Sequence, residues 1–425
     1  MQKLFYNIRP LLLLLLLNAI GMLLLLLKGT QAAENMAILC AVMCLINLIT
    51  YAVITLCKLG DAYLFIIISM LSSVGIIMQS RINPDNGMRQ MVLYLVGVIF
   101  FFAALFIYKA FYKHLNRFTL YYWGTSILLF IITAIFGTVR NGSKNWIIVA
   151  GVSIQPSEFI RILFVLSMAA IFTNARNMTK LKKRNIPELE QKKLRHMRLI
   201  LAAVIAFSNA MCLFLQREWG IALLFFAIYL SFLYIYGESK LFFGANILMV
   251  LAAAFVGVRF MSHIQVRVEA WLDPFSDVTG KGYQIAQSLF AIGTGGFGGS
   301  GIGSGSPYFI PVVSSDFIFS AICEEMGVLG GVAIIMLYFL LVYRGFKISL
   351  SSTNEFNKAV AVGLSVMLGI QTFIIVGGVI KLIPLTGITL PFISYGGSSM
   401  VTTFLVLGIL QAISAMKGEV TDEIE

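Results

Sequence analysis

An all-α, polytopic integral membrane bundle of about twelve spans is the fold this sequence predicts, on three observations. Of its 425 residues 59% are hydrophobic and only 12% are charged, far from the roughly 25% charged residues of soluble domains. The apolar residues fall into runs of roughly 20, the length a helix needs to cross a bilayer. The segments joining these runs are mostly short, as expected where each helix satisfies its own backbone polar groups inside lipid.

Lys3 and Arg9 precede an apolar run from Leu11 to Leu27, which mimics a signal peptide. Its core exceeds the roughly 7–15 residues of a signal h-region, so a retained first helix over 9–27 is expected, with cleavage near Ala33 as the alternative. Further spans are expected at 36–57, 62–79, 90–112, 118–138 and 157–175. The runs 199–215 and 219–237 are separated only by Gln216 to Glu218 and predict a tight helical hairpin. After 241–260 comes a long polar and glycine-rich segment, about 261–316, followed by spans at 317–343, 358–380 and 393–415. This divides the chain into two N-terminal helices (1–58), a core (59–417) and an acidic tail (418–425).

The formal charge of +12 has a topological reading, because cytoplasmic loops of membrane proteins collect Lys and Arg. With the N-terminus inside, about twenty basic residues fall in the cytoplasm and about ten outside. The dense run from Arg176 to Arg198 is then a cytoplasmic loop, solvated or against lipid headgroups, and nucleic acid is not expected as a partner. Both termini are inside. The segment 261–316 and the loops 139–156, 216–218 and 381–392 are outside, so the loops with unusual residues share one side.

Five cysteines lie within apolar runs. Their odd number and position argue against a disulfide framework, and no Cys/His metal spacing occurs. Gly293, Gly295 and Gly298 have GxGxxG spacing, but neither a preceding strand nor a βαβ unit supports a dinucleotide site. Eight glycines between Gly293 and Gly305 instead suggest backbone packed against other backbone or a substrate.

Ionisable groups in membrane segments are costly and commonly mark sites. Glu158 and Arg161, three residues apart, share a helical face. They make either a structural ion pair or, the reading preferred here, a cavity-facing pair that positions a charged substrate group. Glu218 stands where a carboxylate caps a helix start. Lys144, beside Trp146, is an interfacial anchor or an anion contact. Asp316 stands where an apolar run resumes, either as a helix cap or as a general base at the mouth of the bilayer. His263 is the only histidine on the outer side in this topology, so a Ser-His-Asp or metal-His site has little support.

Several blocks in order carry a resemblance. They are Gln155-Pro156-Ser157-Glu158, Trp271-Leu272-Asp273-Pro274, Gly282-Tyr283-Gln284 with Gln287-Ser288, Asp316-Phe317-Ile318-Phe319, Glu324-Glu325-Met326-Gly327, and Pro391-Phe392-Ile393-Ser394-Tyr395-Gly396-Gly397-Ser398-Ser399. With these the chain resembles, over roughly 62–416, the SEDS family of bacterial cell-wall enzymes, the RodA, FtsW and SpoVE-like proteins.

The resemblance implies a ten-helix core, here preceded by two extra helices, in the bacterial cytoplasmic membrane. It implies a peptidoglycan glycosyltransferase that polymerises lipid II on the outer face, inverting, with a class B penicillin-binding protein as partner. Asp316 falls on the catalytic aspartate, and Glu158 and Arg161 fall on the family's ion pair. The substrate-binding set is expected to include Lys144, Gln216, Glu218, Tyr283, Gln284, Gln287, Ser288, Lys381, Ser394, Tyr395 and Ser398. No resident cofactor is implied, although a divalent cation, Mg or Mn, would suit a diphosphate leaving group. Arg161, Lys144, Arg217 and Lys381 are the candidate cations for that group. Two positions depart from the family: Gln216-Arg217-Glu218 replaces Gln-Pro-Asp, and Asn145 stands where Arg is common before Trp146. The rival readings are a lipid II flippase and a catalytically silent scaffold for the penicillin-binding partner.

Overall fold

The computed structural model describes residues 2–27, 33–140, 143–149, 151–181, 188–237 and 239–422. In order come α1 (Gln2–Leu27), α2 (Ala33–Leu56), α3 (Ala62–Ile82), α4 (Pro84–Leu115) and α5 (Thr119–Phe136), then strands β1 (Thr138–Arg140), β2 (Ser143–Val149) and β3 (Val152–Ile154). Next are α6 (Pro156–Leu181), α7 (Glu188–Leu215), α8 (Trp219–Tyr236), α9 (Lys240–Phe260), α10 (Ser262–Leu272) and α11 (Tyr283–Gly295). The chain continues through α12 (Ile318–Ser351), α13 (Glu355–Val379) and α14 (Gly397–Asp422). Among the described residues, eleven helices are long and apolar enough to cross a membrane. The second expected span is α2, whose apolar portion Cys40–Leu56 is shorter. The middle of the basic run, 182–187, and the tail end, 423–425, lie outside the described residues, as do 28–32 before Ala33.

Two segments read as loops are structured. Strands β1, β2 and β3 form a three-stranded antiparallel sheet in that order, with Val139 opposite Lys144 and Ile148 opposite Ser153. The segment 261–316 holds α10, α11 and a short 3-10 turn at Pro307–Phe309.

The chain forms two compact units, one from Met1–Leu105, Val266–Arg344 and Gln371–Glu425, the other from Phe106–Gln265 and Gly345–Ile370. In the first, α3 and α14 are the most enclosed helices. Gly75 of α3 lies against the backbone of Phe392 and Ile393, an approach that a Cβ would block. Small residues permit such contacts between membrane helices, where packing replaces the hydrophobic drive. The added helix α2 joins this core through a polar contact, Tyr94 Oη to Asn47 Oδ1 at 2.5 Å, with Ser69 Oγ 3.1 Å from the same hydroxyl. In the second unit α6 is almost wholly enclosed, whereas α9 buries little more than Asn246 and Gly257. Phe164 and Phe172 of α6 pack on Phe225 and Phe232 of α8, with ring centroids 4.5 and 6.0 Å apart.

Helix α12 is broken at Gly327, where φ is 70°. Its 34 residues would run about 51 Å at 1.5 Å each, well beyond a ~30 Å hydrocarbon core. The stretch after Gly327 is long enough to span alone, at roughly 36 Å. The break frees backbone groups that must find partners, and the glycine-rich segment supplies them. The Ser300 and Gly301 amides donate to the carbonyls of Glu324 and Glu325, both at 3.0 Å. In return the amides of Val328 and Leu329 donate to the carbonyls of Gly296 and Phe297, at 2.9 and 3.4 Å. Gly299 has φ 84° and abuts the Glu325 carbonyl, so the glycines serve backbone-on-backbone contact. Gly327→Ala is expected to cost about 1–3 kcal/mol, because a Cβ at this φ meets Gly299 N and Phe297 O. A fall in the thermal unfolding midpoint in detergent checks this.

Candidate active site

Asp316 is presented by a strained turn. Val312 has φ 55°, an outlier for a β-branched residue, and its carbonyl accepts from the amides of Ser315 and Asp316, both at 3.2 Å. Helix α12 begins two residues later, at Ile318. The carboxylate does not cap the helix: Ser315 Oγ donates to Oδ1 at 2.8 Å, and the charge faces Arg267 of α10.

Arg267 Nη1 donates to the carbonyls of Leu385 and Thr386, at 3.3 and 2.9 Å. One turn along α10, Trp271 Nε1 donates to the Lys381 carbonyl at 3.1 Å. One face of α10 thus clips the 381–387 loop in place. At Gly387 of that loop a side chain would come within 3.4 Å of Asp316 Oδ2, so glycine keeps the space beside the carboxylate open.

Asp316 is half-buried, and Arg267 keeps an exposed side. Burial raises the carboxyl above its ordinary value, while the Ser315 hydroxyl and the Arg267 guanidinium pull it back. Burial likewise lowers Arg267, which the Asp316 charge offsets. A half-desolvated carboxylate with one hydroxyl donor and one facing cation can take a proton from an alcohol.

The backbone behind Asp316 is fixed from two directions. Gln79 Nε2 of α3 donates to Ser314 O at 2.7 Å, and Tyr395 N donates to the same carbonyl at 2.8 Å. Ser394 Oγ donates to Ser315 O at 2.6 Å and accepts from Leu390 N at 2.9 Å. Gln90 Nε2 of α4 in turn donates to Ser394 O at 3.3 Å.

The other expected residues of this unit divide. Ser394, expected to bind substrate, is buried and its hydroxyl supports the Asp316 turn. Tyr395 contributes through its backbone. Ser398 is buried in the first turn of α14. Ser288 is fully buried, 2.6 Å from Ser320 Oγ and 3.1 Å from Val379 O, so it ties α11 to α12 and α13. Gln284 is exposed, Tyr283 Oη donates to Phe309 O at 3.4 Å, and Gln287 lines a cavity of about 370 Å³. Lys381 adopts φ 62° just past α13, a left-handed helix end where glycine is usual.

In the second unit Glu158 and Arg161 are paired at 2.5 Å and are only 4% and 2% exposed. The first turns of α6 are enclosed by the helix packing that surrounds them, so the pair is buried within this unit. Glu218 stands at the start of α8 without a side-chain cap bond. It receives Gln155 Nε2 at 2.8 Å. Burial pushes its carboxyl up, Gln155, Ser157 and Asn145 oppose that by hydrogen bonding, and Glu158 adds to the rise. Lys144 is exposed and its Nζ donates to Ala134 O at 2.5 Å, where a cation suits the end of α5. Gln216 Nε2 reaches Phe130 O at 3.3 Å, and Arg217 has φ 61° at the α7–α8 turn.

Arg267, Gln79 and Gln90 were not singled out from sequence. Gln79 and Gln90 carried a signal as uncharged polar residues in apolar runs, which need internal partners. Arg267 carried none, because it is one of several basic residues in a polar segment.

A family model described as "Cell cycle protein", grouping FtsW, RodA and SpoVE, matches residues 51–419. Peptidoglycan glycosyltransferase RodA of Mycobacterium tuberculosis is 35% identical over 368 residues, covering 83% of this chain and 78% of the relative. Stage V sporulation protein E of Bacillus subtilis is 33% identical, covering 68% and 76%. A solved chain from "Structural coordination of polymerization and crosslinking by a peptidoglycan synthase complex" superposes with a TM-score of 0.68 at 25% identity, covering 84% of this chain and 98% of that one. Rod shape determining protein RodA of Thermus thermophilus, at 22% identity, shares the fold with a TM-score of 0.58.

Proposed function

This chain belongs to the FtsW, RodA and SpoVE family of cell cycle proteins, and from that premise we propose that it polymerises lipid II with Asp316 as the general base. It is a multi-pass membrane protein and a peptidoglycan glycosyltransferase. The observation that carries the mechanism is the half-buried Asp316 carboxylate, raised by burial and facing Arg267 in a braced polar turn.

The 4-hydroxyl of one glycan attacks the anomeric carbon of another. Asp316 takes the hydroxyl proton as the new C–O bond forms, and the bond to the diphosphate breaks with its electron pair leaving on oxygen. A single displacement with one base inverts the anomeric centre. Arg267 is the cation that Asp316 faces, which adds it to Lys381 as a group to neutralise the diphosphate. Arg161 and Lys144 are weaker candidates, given their partners. A divalent cation, Mg or Mn, would supply further charge on the leaving group. The positive-inside distribution supports Asp316 on the outer face with both termini inside. The structural match to a synthase complex supports a class B penicillin-binding protein as partner.

The test is purified protein, with and without such a partner, given labelled lipid II in detergent, where transport has no meaning. Glycan chains support polymerisation; unchanged lipid II under all conditions contradicts it. Arg267→Ala sharpens the test. Because Arg267 holds the Asp316 carboxyl down, its loss should raise that group further and move the acid limb of kcat/KM to higher pH. Arg267→Lys should return the limb toward its original position.

A further inference from the structure

A wholly apolar groove of about 280 Å³ runs between α1 and α3 in the first unit. Leu16, Ile20 and Leu24 of α1 form one wall and Ile77 of α3 the other, and Ile302 and Met326 complete the lining. The two helices touch at Gly21, where a Cβ would collide with the Ile77 side chain. Leu16 and Ile20 are 54% and 48% exposed, so the groove is accessible from the bilayer.

Depth decides what can fill it. Helix α3 has 21 residues, about 31 Å at 1.5 Å each, which matches a hydrocarbon core of about 30 Å. Its two ends therefore sit at the two headgroup layers. Ile77 precedes the end of α3 at Ile82 and lies roughly 7.5 Å below it, within hydrocarbon, where a polar occupant would be costly. A protein helix is too wide, because one turn, roughly 10 Å across and 5.4 Å long, displaces about 400 Å³. A single alkyl chain fits.

Arg81 supplies a polar end. It stands one turn beyond Ile77 on the same helical face and next to the last residue of α3, at headgroup depth. Its Nε donates to Glu325 Oε1 and its Nη2 to Gly305 O, both at 3.1 Å. Among the described residues Nη1 has no such partner, and the side chain keeps 19% of its surface exposed while that of Glu325 is fully buried. A phosphate approaching from the lipid thus meets the guanidinium rather than the carboxylate, and a guanidinium nitrogen suits a phosphate oxygen.

We infer that this groove is a binding site for one bilayer phospholipid, with an acyl chain laid between α1 and α3 and its phosphate on Arg81 Nη1. A straight acyl chain is slimmer than a methyl-branched polyprenyl chain, which favours an ordinary phospholipid over the tail of a glycan carrier. Gln79, on the same turn of α3 as Arg81, holds the Ser314 carbonyl behind Asp316, so the lipid steadies the helix end that braces that turn. The added helix α1 thereby has a role, as one wall of the site.

The test uses the full-length purified chain in detergent, titrated with dioleoyl phosphatidylglycerol and read by native mass spectrometry. Wild type should hold one such lipid, at least tenfold more tightly than dioleoylglycerol, which has the chains without the phosphate. Leu16→Trp and Ile20→Trp fill the groove from lipid-facing positions and should each weaken binding at least tenfold. Leu251→Trp, at an exposed position of α9, should bind as wild type does. Arg81→Gln combined with Glu325→Gln strands no buried charge and should abolish the preference for the phosphate-bearing lipid. No retained lipid in wild type, undiminished binding in both groove variants, equal loss in Leu251→Trp, or a phosphate preference that survives the double substitution overturns the site. A polyprenyl phosphate that displaces phosphatidylglycerol at lower concentration overturns it in favour of a carrier tail.

Discussion

Asp316→Asn is expected to lower lipid II polymerisation by at least a hundredfold while leaving the protein folded, in line with the roughly 10²–10⁴ that a general base contributes. The amide has the shape of the carboxylate, and its oxygen still accepts from Ser315 Oγ. Burial disfavours the charged form of Asp316, so a neutral amide removes a desolvation cost. Arg267 loses a facing charge but keeps the Leu385 and Thr386 carbonyls and an exposed side. The unfolding transition should therefore stay near that of wild type while product formation collapses. Thermal unfolding and glycan yield, measured on one preparation, separate the two effects.

Arg161→Ala should have the largest effect on stability. It removes the ion-pair partner of Glu158 among enclosed helices, and breaking a buried pair typically costs about 3–5 kcal/mol. Glu158 also raises the Glu218 carboxyl nearby. Replacing both Glu158 and Arg161 with Leu should recover much of the loss, since apolar pairs of similar volume replace buried ion pairs at little cost. If Arg161→Ala instead unfolds like wild type yet fails to turn over, the pair acts on substrate.

Much of this was legible in the sequence because lipid imposes a strict pattern. The helices α3 to α9 and α12 to α14 fall on the expected spans, since length and hydropathy alone define a span. The glycines of 293–305 were read as backbone packed against other backbone or a substrate, and they pair with the broken helix at Gly327. The small sheet was not anticipated, although Val139 and the run from Trp146 to Val149 flank the dipeptide Asn141-Gly142, a strong hairpin signal. Hydropathy hid it, because a β-branched run beside a span reads as part of a loop.

The residues that brace the Asp316 turn were harder to read. Asp316 was marked by its position before an apolar run. Ser394 and Ser288, which the resemblance implies as substrate-binding residues, donate to the carbonyls of Ser315 and Val379, bonds that sequence alone does not reveal. Arg267 faces Asp316 from α10, which is clipped to the 381–387 loop by contacts between positions more than a hundred residues apart.

The rate of glycan polymerisation against pH, in wild type and in the residual activity of Asp316→Asn, tests the assignment of the base most directly. Wild type should lose rate as pH falls through a limb lying above the ordinary aspartate range, and the variant should show no such limb. The same acid limb in both proteins would place the base elsewhere.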